Sequence, residues 1–154
     1  MGERVSDGGG AYFEDLEVGQ GAERIVTVRE ADLKAFAAVS GDTNPLHLDE
    51  SYAAATVFKG RIAHGMLAGA YISALLGTEL PGPGSVYVSQ TLDFKRAIRP
   101  GDEVVVRVRL QALDEKTGVV TLATTCHVGR KMMVGGEAKV AVPRRGAPPA
   151  AEAV

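Results

Sequence analysis

The sequence predicts an α+β fold in which a long antiparallel sheet wraps around one buried helix. Three observations carry that expectation. From residue 85 onward hydrophobicity alternates with a period of two, the period of a half-buried strand. The stretch from His64 to Leu76 is apolar on every side, as a helix buried all round would be. Between the two tails there is neither a linker nor a repeat, so the 154 residues read as one domain.

Taken in order, residues 1–12 form a leader containing Gly8-Gly9-Gly10, expected to be flexible. A single domain follows over 13–143. Its first strand is expected at 23–28 (ERIVTV). Leu33, Phe36, Ala37 and Ser40 then recur at helical spacing. Thr27 and Glu30 have the separation of a capping box, with a start two residues later as the alternative. Gly41 is placed to end that helix in a left-handed conformation. Asn44-Pro45 forbids its continuation, and Asp49 can cap a short helix over Glu50 to Ala55. The apolar helix from His64 carries Gly65, Ala68, Gly69, Ala70, Ser73 and Ala74, small residues that let a sheet approach, and Gly77 is its natural terminator. Strands are expected at 85–94, 102–114, 117–129 and 131–142, with turns at Arg99-Pro100-Gly101, Glu115-Lys116 and Gly129-Arg130. Residues 144–154, rich in proline and alanine, are expected to be a disordered tail.

Composition narrows the function classes. A formal net charge of −2 gives no basic footprint for nucleic acid or an anionic membrane. The longest apolar stretch is too short to span a bilayer, and the N-terminal residues have no signal-peptide character. One cysteine, Cys126, rules out an internal disulfide framework and fits a reducing, cytoplasmic setting. Three histidines and one cysteine without ligand spacing argue against zinc, and no phosphate loop or dinucleotide motif is present. Neither a metal nor a cofactor is expected.

The stretch SGDTNPLHLDE, residues 40 to 50, holds the candidate chemistry. Asp42 and His47 flank a proline and can curl into one cavity, where an acid and an imidazole sharing a water can pass protons. Burial beside Leu46 and Leu48 would raise the acid's pKa, and Asn44 could orient either group. The same residues also suit a plain Asx-turn with a half-buried histidine, and on local pattern alone that reading stands ahead. A second feature is His64-Gly65 at the start of the apolar helix. A free N–H at Gly65 or Met66 could hold an oxyanion; the alternative is that Gly65 is small for packing and His64 only caps the helix. Ser73 reads as structural or as a pocket-lining donor. Cys126 and His127 alternate on a strand and so form no dyad.

Three runs, FAAVSGDTNPLHLDESYAAATVF, RIAHGMLAGAYISALLG and PGPGSVYVSQTLDFKRAIRPGDEV, resemble the MaoC-like, (R)-specific enoyl-CoA hydratases. The resemblance spans about residues 15 to 142 and favours the catalytic reading of the loop. It implies the hot-dog fold, a homodimer, and syn hydration of trans-2-enoyl-CoA to (3R)-3-hydroxyacyl-CoA without metal or redox cofactor. On it, Asp42 and His47 fall on the catalytic pair, Asn44 on the asparagine beside them and Gly65 on the oxyanion glycine. Ser73 falls on a serine near the site. Met66 and Leu76 are expected to contact substrate, and Leu67, Ile72 and Leu75 to help set pocket depth. Lys59, Arg61, Lys95 and Arg96 are candidates for the coenzyme A phosphates. An acyl-CoA thioesterase and a non-catalytic acyl-binding protein are the alternatives on the same fold.

Overall fold

The computed structural model describes residues 9–147. Its sheet is built from β1 (Gly21–Thr27), β2 (Val86–Gln90), β3 (Asp93–Phe94), β4 (Glu103–Asp114), β5 (Val119–Val128) and β6 (Lys131–Ala141). All neighbours are antiparallel, in the order β1-β4-β5-β6-β2, with β3 also paired to β6. On β4 the side chains of Val104, Val106, Val108 and Leu110 point inward. On β5, Val120, Leu122, Thr124 and Cys126 do the same, as alternation requires. Together they line the core under the long helix, giving the hot-dog architecture.

The strand expected at 85–94 is two strands, and β6 shows why. At Gly136 the neighbouring segment comes so close that an added Cβ would lie 1.9 Å from the Thr91 carbonyl oxygen. Thr91 donates its N–H to Glu137 O at 2.9 Å and accepts from Glu137 N–H through its hydroxyl at 3.0 Å, across the break between β2 and β3.

Three short helices and one long one complete the fold: α1 (Glu30–Ser40), α2 (Pro45–Leu48), α3 (Glu50–Ala54) and α4 (Gly65–Thr78). The start of α1 is two residues later than the Thr27 cap implies, because Arg29 N–H donates to Asp32 Oδ2 at 2.9 Å. Helix α4 buries Leu67, Ala68, Ile72, Leu75 and Leu76 against the sheet. It is not buried all round, as its composition suggested. The sheet covers one side, and Met66, Ala70 and Ala74 are exposed on the other. Nor does Gly77 stop it, since the helix runs on to Thr78.

The two ends of the described chain lie close together. Residues 1–8 and 148–154 lie outside the described residues, but 9–12 and 144–147 pack on one another's neighbours. Ala11 N–H donates to Pro81 O and Phe13 N–H to Pro143 O, both at 2.8 Å. The Arg144 guanidinium sits 4.3 Å from the Phe13 ring centre.

Ile72 and Leu75 are fully buried, so each contributes about 1.5–3 kcal/mol through burial alone. Ile72→Ala should lower unfolding stability by about 2–5 kcal/mol in a urea titration, because the cavity cannot collapse between helix and sheet.

Candidate active site

The loop between α1 and α3 is shaped by its own side chains. Gly41 takes φ 78°, a conformation glycine adopts without strain, and its N–H closes α1 on Ala37 O at 2.9 Å. Asp42 Oδ1 then accepts from Asn44 N–H, and Asn44 Oδ1 from Leu46 N–H, each at 3.1 Å. The Asn44 amide is therefore the cap of α2, and Asn44 holds the acid through its backbone N–H instead. Pro45 ends the reach of α1 and occupies the first position of α2, where its missing N–H costs nothing. Asp49 caps α3 as expected, accepting from Tyr52 N–H at 3.0 Å.

This turn places His47 inward. Its Nδ1 lies 2.8 Å from the Ile62 carbonyl oxygen, which can only accept, so Nδ1 carries the proton and Nε2 presents a lone pair. That Nε2 is 3.9 Å from Asp42 Oδ2. The gap is too long for a direct hydrogen bond and suits one water donating to both acceptors at about 2.8 Å. The expected burial of the acid does not occur: the Asp42 side chain is 49% exposed against 9% for His47. Of the flanking leucines, Leu46 is half-buried, whereas Leu48 faces outward.

His64 stands at the N-cap position of α4 without a side-chain cap bond, and its ring is a wall of the site. Its Nε2 meets the main-chain carbonyl of Asp42 at 3.0 Å, which fixes the tautomer and holds the acid's backbone. Its ring lies 3.9 Å from the His47 ring and 4.9 Å from Phe36, centre to centre, and its buried Nδ1 has no partner. Asp42, His47 and His64 bring ligand atoms within 4.8 Å of one another, close enough to share a cation. Linear spacing could not show this, because 17 residues separate the two histidines. The only available signal was that His64 directly precedes Gly65.

The next residue opens α4. The N–H groups of Gly65 and Met66 have no intrahelical acceptor by position and lie at the positive end of the helix dipole. Gly65 is bare for a steric reason too, since a Cβ there would come 3.0 Å from the Phe94 ring. A cavity of about 300 Å³ is lined here by His47, Ile62, His64, Gly65, Phe94 and Lys95, among others. Beyond Phe94 a second cavity of about 700 Å³ runs along α4, where Met66 and Ser73 face Tyr87 and Gln90. Leu76 does not reach it. With Leu67, Ile72 and Leu75 it points to the opposite, sheet-facing side and belongs to the core.

The basic candidates separate. Arg61 is engaged by two acids: Nη1 and Nη2 grip Glu30, with Nη1 at 2.7 Å, and Nε donates to Glu50 at 3.1 Å. It has no free face for a phosphate. Arg96 donates to Met132 O at 2.8 Å while lining the smaller cavity beside Lys95. Lys59 lies exposed on the preceding loop. Cys126 is fully buried, its thiol pushed up to about 12 by that burial, while His127 alternates away from it.

Known proteins share this arrangement of chain. A family model described as the MaoC like domain matches residues 15–131. An (R)-specific enoyl-CoA hydratase of Rhodospirillum rubrum is 52% identical, covering 88% of this chain and 94% of its own. A 3-hydroxybutyryl-CoA dehydratase of Methylorubrum extorquens is 48% identical, covering 87% and 85%. Among solved structures, an unliganded R-hydratase of Pseudomonas aeruginosa superimposes with a TM-score of 0.83 at 47% identity, covering 88% of this chain and 87% of that one.

The ion pairs around the loop set an acid limit to stability. The Arg61 hydrogen bond holds the Glu30 carboxyl below its ordinary 4.5, and that of Arg29 holds Asp32 below 3.8. Both are depressed in the folded state, so the stability they lend is complete above the unfolded values and lost as pH falls through the folded ones. Glu30→Gln should therefore be less stable than the parent at about pH 6, and the urea midpoints of the two should converge as pH falls below the ordinary carboxylate range.

Proposed function

Because the chain belongs to the MaoC-like domain family, we propose that it works as an (R)-specific enoyl-CoA hydratase, a hydro-lyase that reversibly adds water to trans-2-enoyl-CoA. The observation that carries this reading is the placement of two acceptors, Asp42 Oδ2 and the lone pair of His47 Nε2, 3.9 Å apart, with His47 lining the same cavity as the glycine-led start of α4.

The chemistry follows from those atoms. A water donating one hydrogen to each acceptor turns its own lone pair outward, toward C3 of the bound enoyl group. The thioester carbonyl accepts from the Gly65 N–H, which polarises the conjugated double bond. Attack forms the C3–O bond and moves the double-bond electrons onto the carbonyl oxygen, where the helix end stabilises the enolate. Asp42 takes the water's proton as general base, supported by His47. The pair returns a proton to C2 from the same face, giving the (3R)-3-hydroxyacyl thioester by syn addition. No step uses a metal or a redox group.

The apolar acyl chain fits the larger cavity between α4 and β2, past Met66 and Ser73. Lys95 at the smaller cavity is the candidate contact for the coenzyme A phosphates. Met66, Val88 and Phe94 are exposed on one face around the larger cavity, a surface that suits the partner in a homodimer. Among the described residues no helix is long and apolar enough to cross a membrane, and the reduced Cys126 accords with a cytoplasmic protein.

Crotonyl-CoA should lose its enoyl absorbance with no release of free thiol, and chiral chromatography should find the (3R) product. Thiol release with the enoyl chromophore intact would instead mark a thioesterase. Asp42→Asn and His47→Ala should each lower kcat by about 10²–10⁴-fold. Exhaustive dialysis against a chelator should leave the rate unchanged, despite the three possible ligands around Asp42.

A further inference from the structure

The lone pair of His47 faces the acid only because Ile62 O accepts from its Nδ1. What holds that carbonyl in place is therefore part of the site. Ile62 N–H donates to Leu46 O at 3.2 Å, and Ala63 N–H to Ile98 O at 2.7 Å, so the segment bridges loop and sheet. The residue before it, Arg61, ties the same segment to both flanks of the catalytic loop. Its fork closes on Glu30, the first residue of α1, and its Nε on Glu50, the first residue of α3. Its own N–H also reaches Glu50 Oε2 at 3.4 Å. The loop bearing Asp42 and His47 hangs between those two helices.

The Arg61 side chain is only 18% exposed, although those of both acids are open to solvent. The adjoining backbone leaves little slack. A Cβ at Gly60 would stand 3.2 Å from Glu50 Oε1 and 3.3 Å from Arg99 Nη1. A planar, always-charged fork can satisfy two carboxylates in fixed directions, which a flexible ammonium cannot.

From this geometry we infer that Arg61 is a positioning residue for proton transfer: it sets the register of the Ile62 carbonyl against α2 and so fixes the His47 tautomer that leaves Nε2 free. The inference rests on the hydratase reading for its kinetic consequence, but its structural content stands apart from activity. Arg61 does not line the smaller cavity, and it acts through Ile62 and His47.

The chain has three histidines, so the imidazole nitrogens can be resolved by long-range ¹H–¹⁵N correlation. In the parent protein His47 should give the pattern of a single Nδ1–H tautomer. In Arg61→Lys, that pattern should give way to exchange between tautomers. The kcat for crotonyl-CoA should fall at least about tenfold, with KM changed less than about threefold, since the cavity walls remain. The rate in Arg61→Ala should recover in part when millimolar guanidinium is added.

If Arg61→Lys does not fold, Glu30→Gln and Glu50→Gln each remove one arm and should give the same His47 signature in milder form. Unchanged His47 signals in a folded variant overturn the inference, as does a loss of rate that tracks only the unfolded fraction. If the parent shows the single tautomer and the variants lose it while no hydration is found in any of them, the positioning holds and the hydratase reading fails.

Discussion

One carbonyl oxygen, that of Ile62, is the point through which the two halves of this molecule communicate. The imidazole of His47 donates to it, the N–H of the same residue reaches back to Leu46, and the next residue is bonded to the sheet side at Ile98. Without that seat, the polar turn after α1 would be an exposed loop on a solvated surface. With it, a half-exposed acid faces an imidazole whose protonated nitrogen is already committed. The arrangement uses backbone rather than a second carboxylate to choose the tautomer, so no additional buried charge is needed.

The sheet contributes by rigidity. Strands β1, β4 and β5 lie against one side of α4, which buries Leu67, Ala68, Ile72, Leu75 and Leu76 there and leaves Met66, Ala70 and Ala74 outward. The start of α4 is thereby held at a fixed height against α2, with His64 packed between Phe36 and His47. A helix N-terminus can stabilise developing negative charge only if it does not shift as the charge appears, and burial of Ile72, Leu75 and Leu76 supplies that constraint.

Much of this was legible in the sequence, and the failures have physical reasons. Strand periodicity located β4, β5 and β6 to within a residue or two, because alternation is imposed by one buried face. Gly41 and Asp49 were legible because a left-handed stop and a side-chain cap are local requirements. The break between β2 and β3 was not, because its cause, the missing Cβ of Gly136, lies 45 residues away from Thr91 on another strand. The all-apolar helix misled in one respect: alanine and glycine make a face apolar without making it buried. Asn44 was read for its reach and turned out to cap a helix of four residues, too short to show periodicity. His64 and Arg61 act through contacts made 22 and 31 residues away in the chain, which no spacing within a motif reveals.

The close packing of Gly65 on Phe94 completes a pattern in how duties are divided along the chain. Asp42, His47, His64, Gly65 and Phe94 all precede β4, whereas β4 and β5 contribute no lining residue to the smaller cavity and β6 only Val134. Sequence drift in the long strands thus alters how firmly α4 is gripped without changing which atoms surround the reacting group. Selection for durability and selection for chemistry can act on different stretches of the same gene, and one can be retuned while the other is left alone.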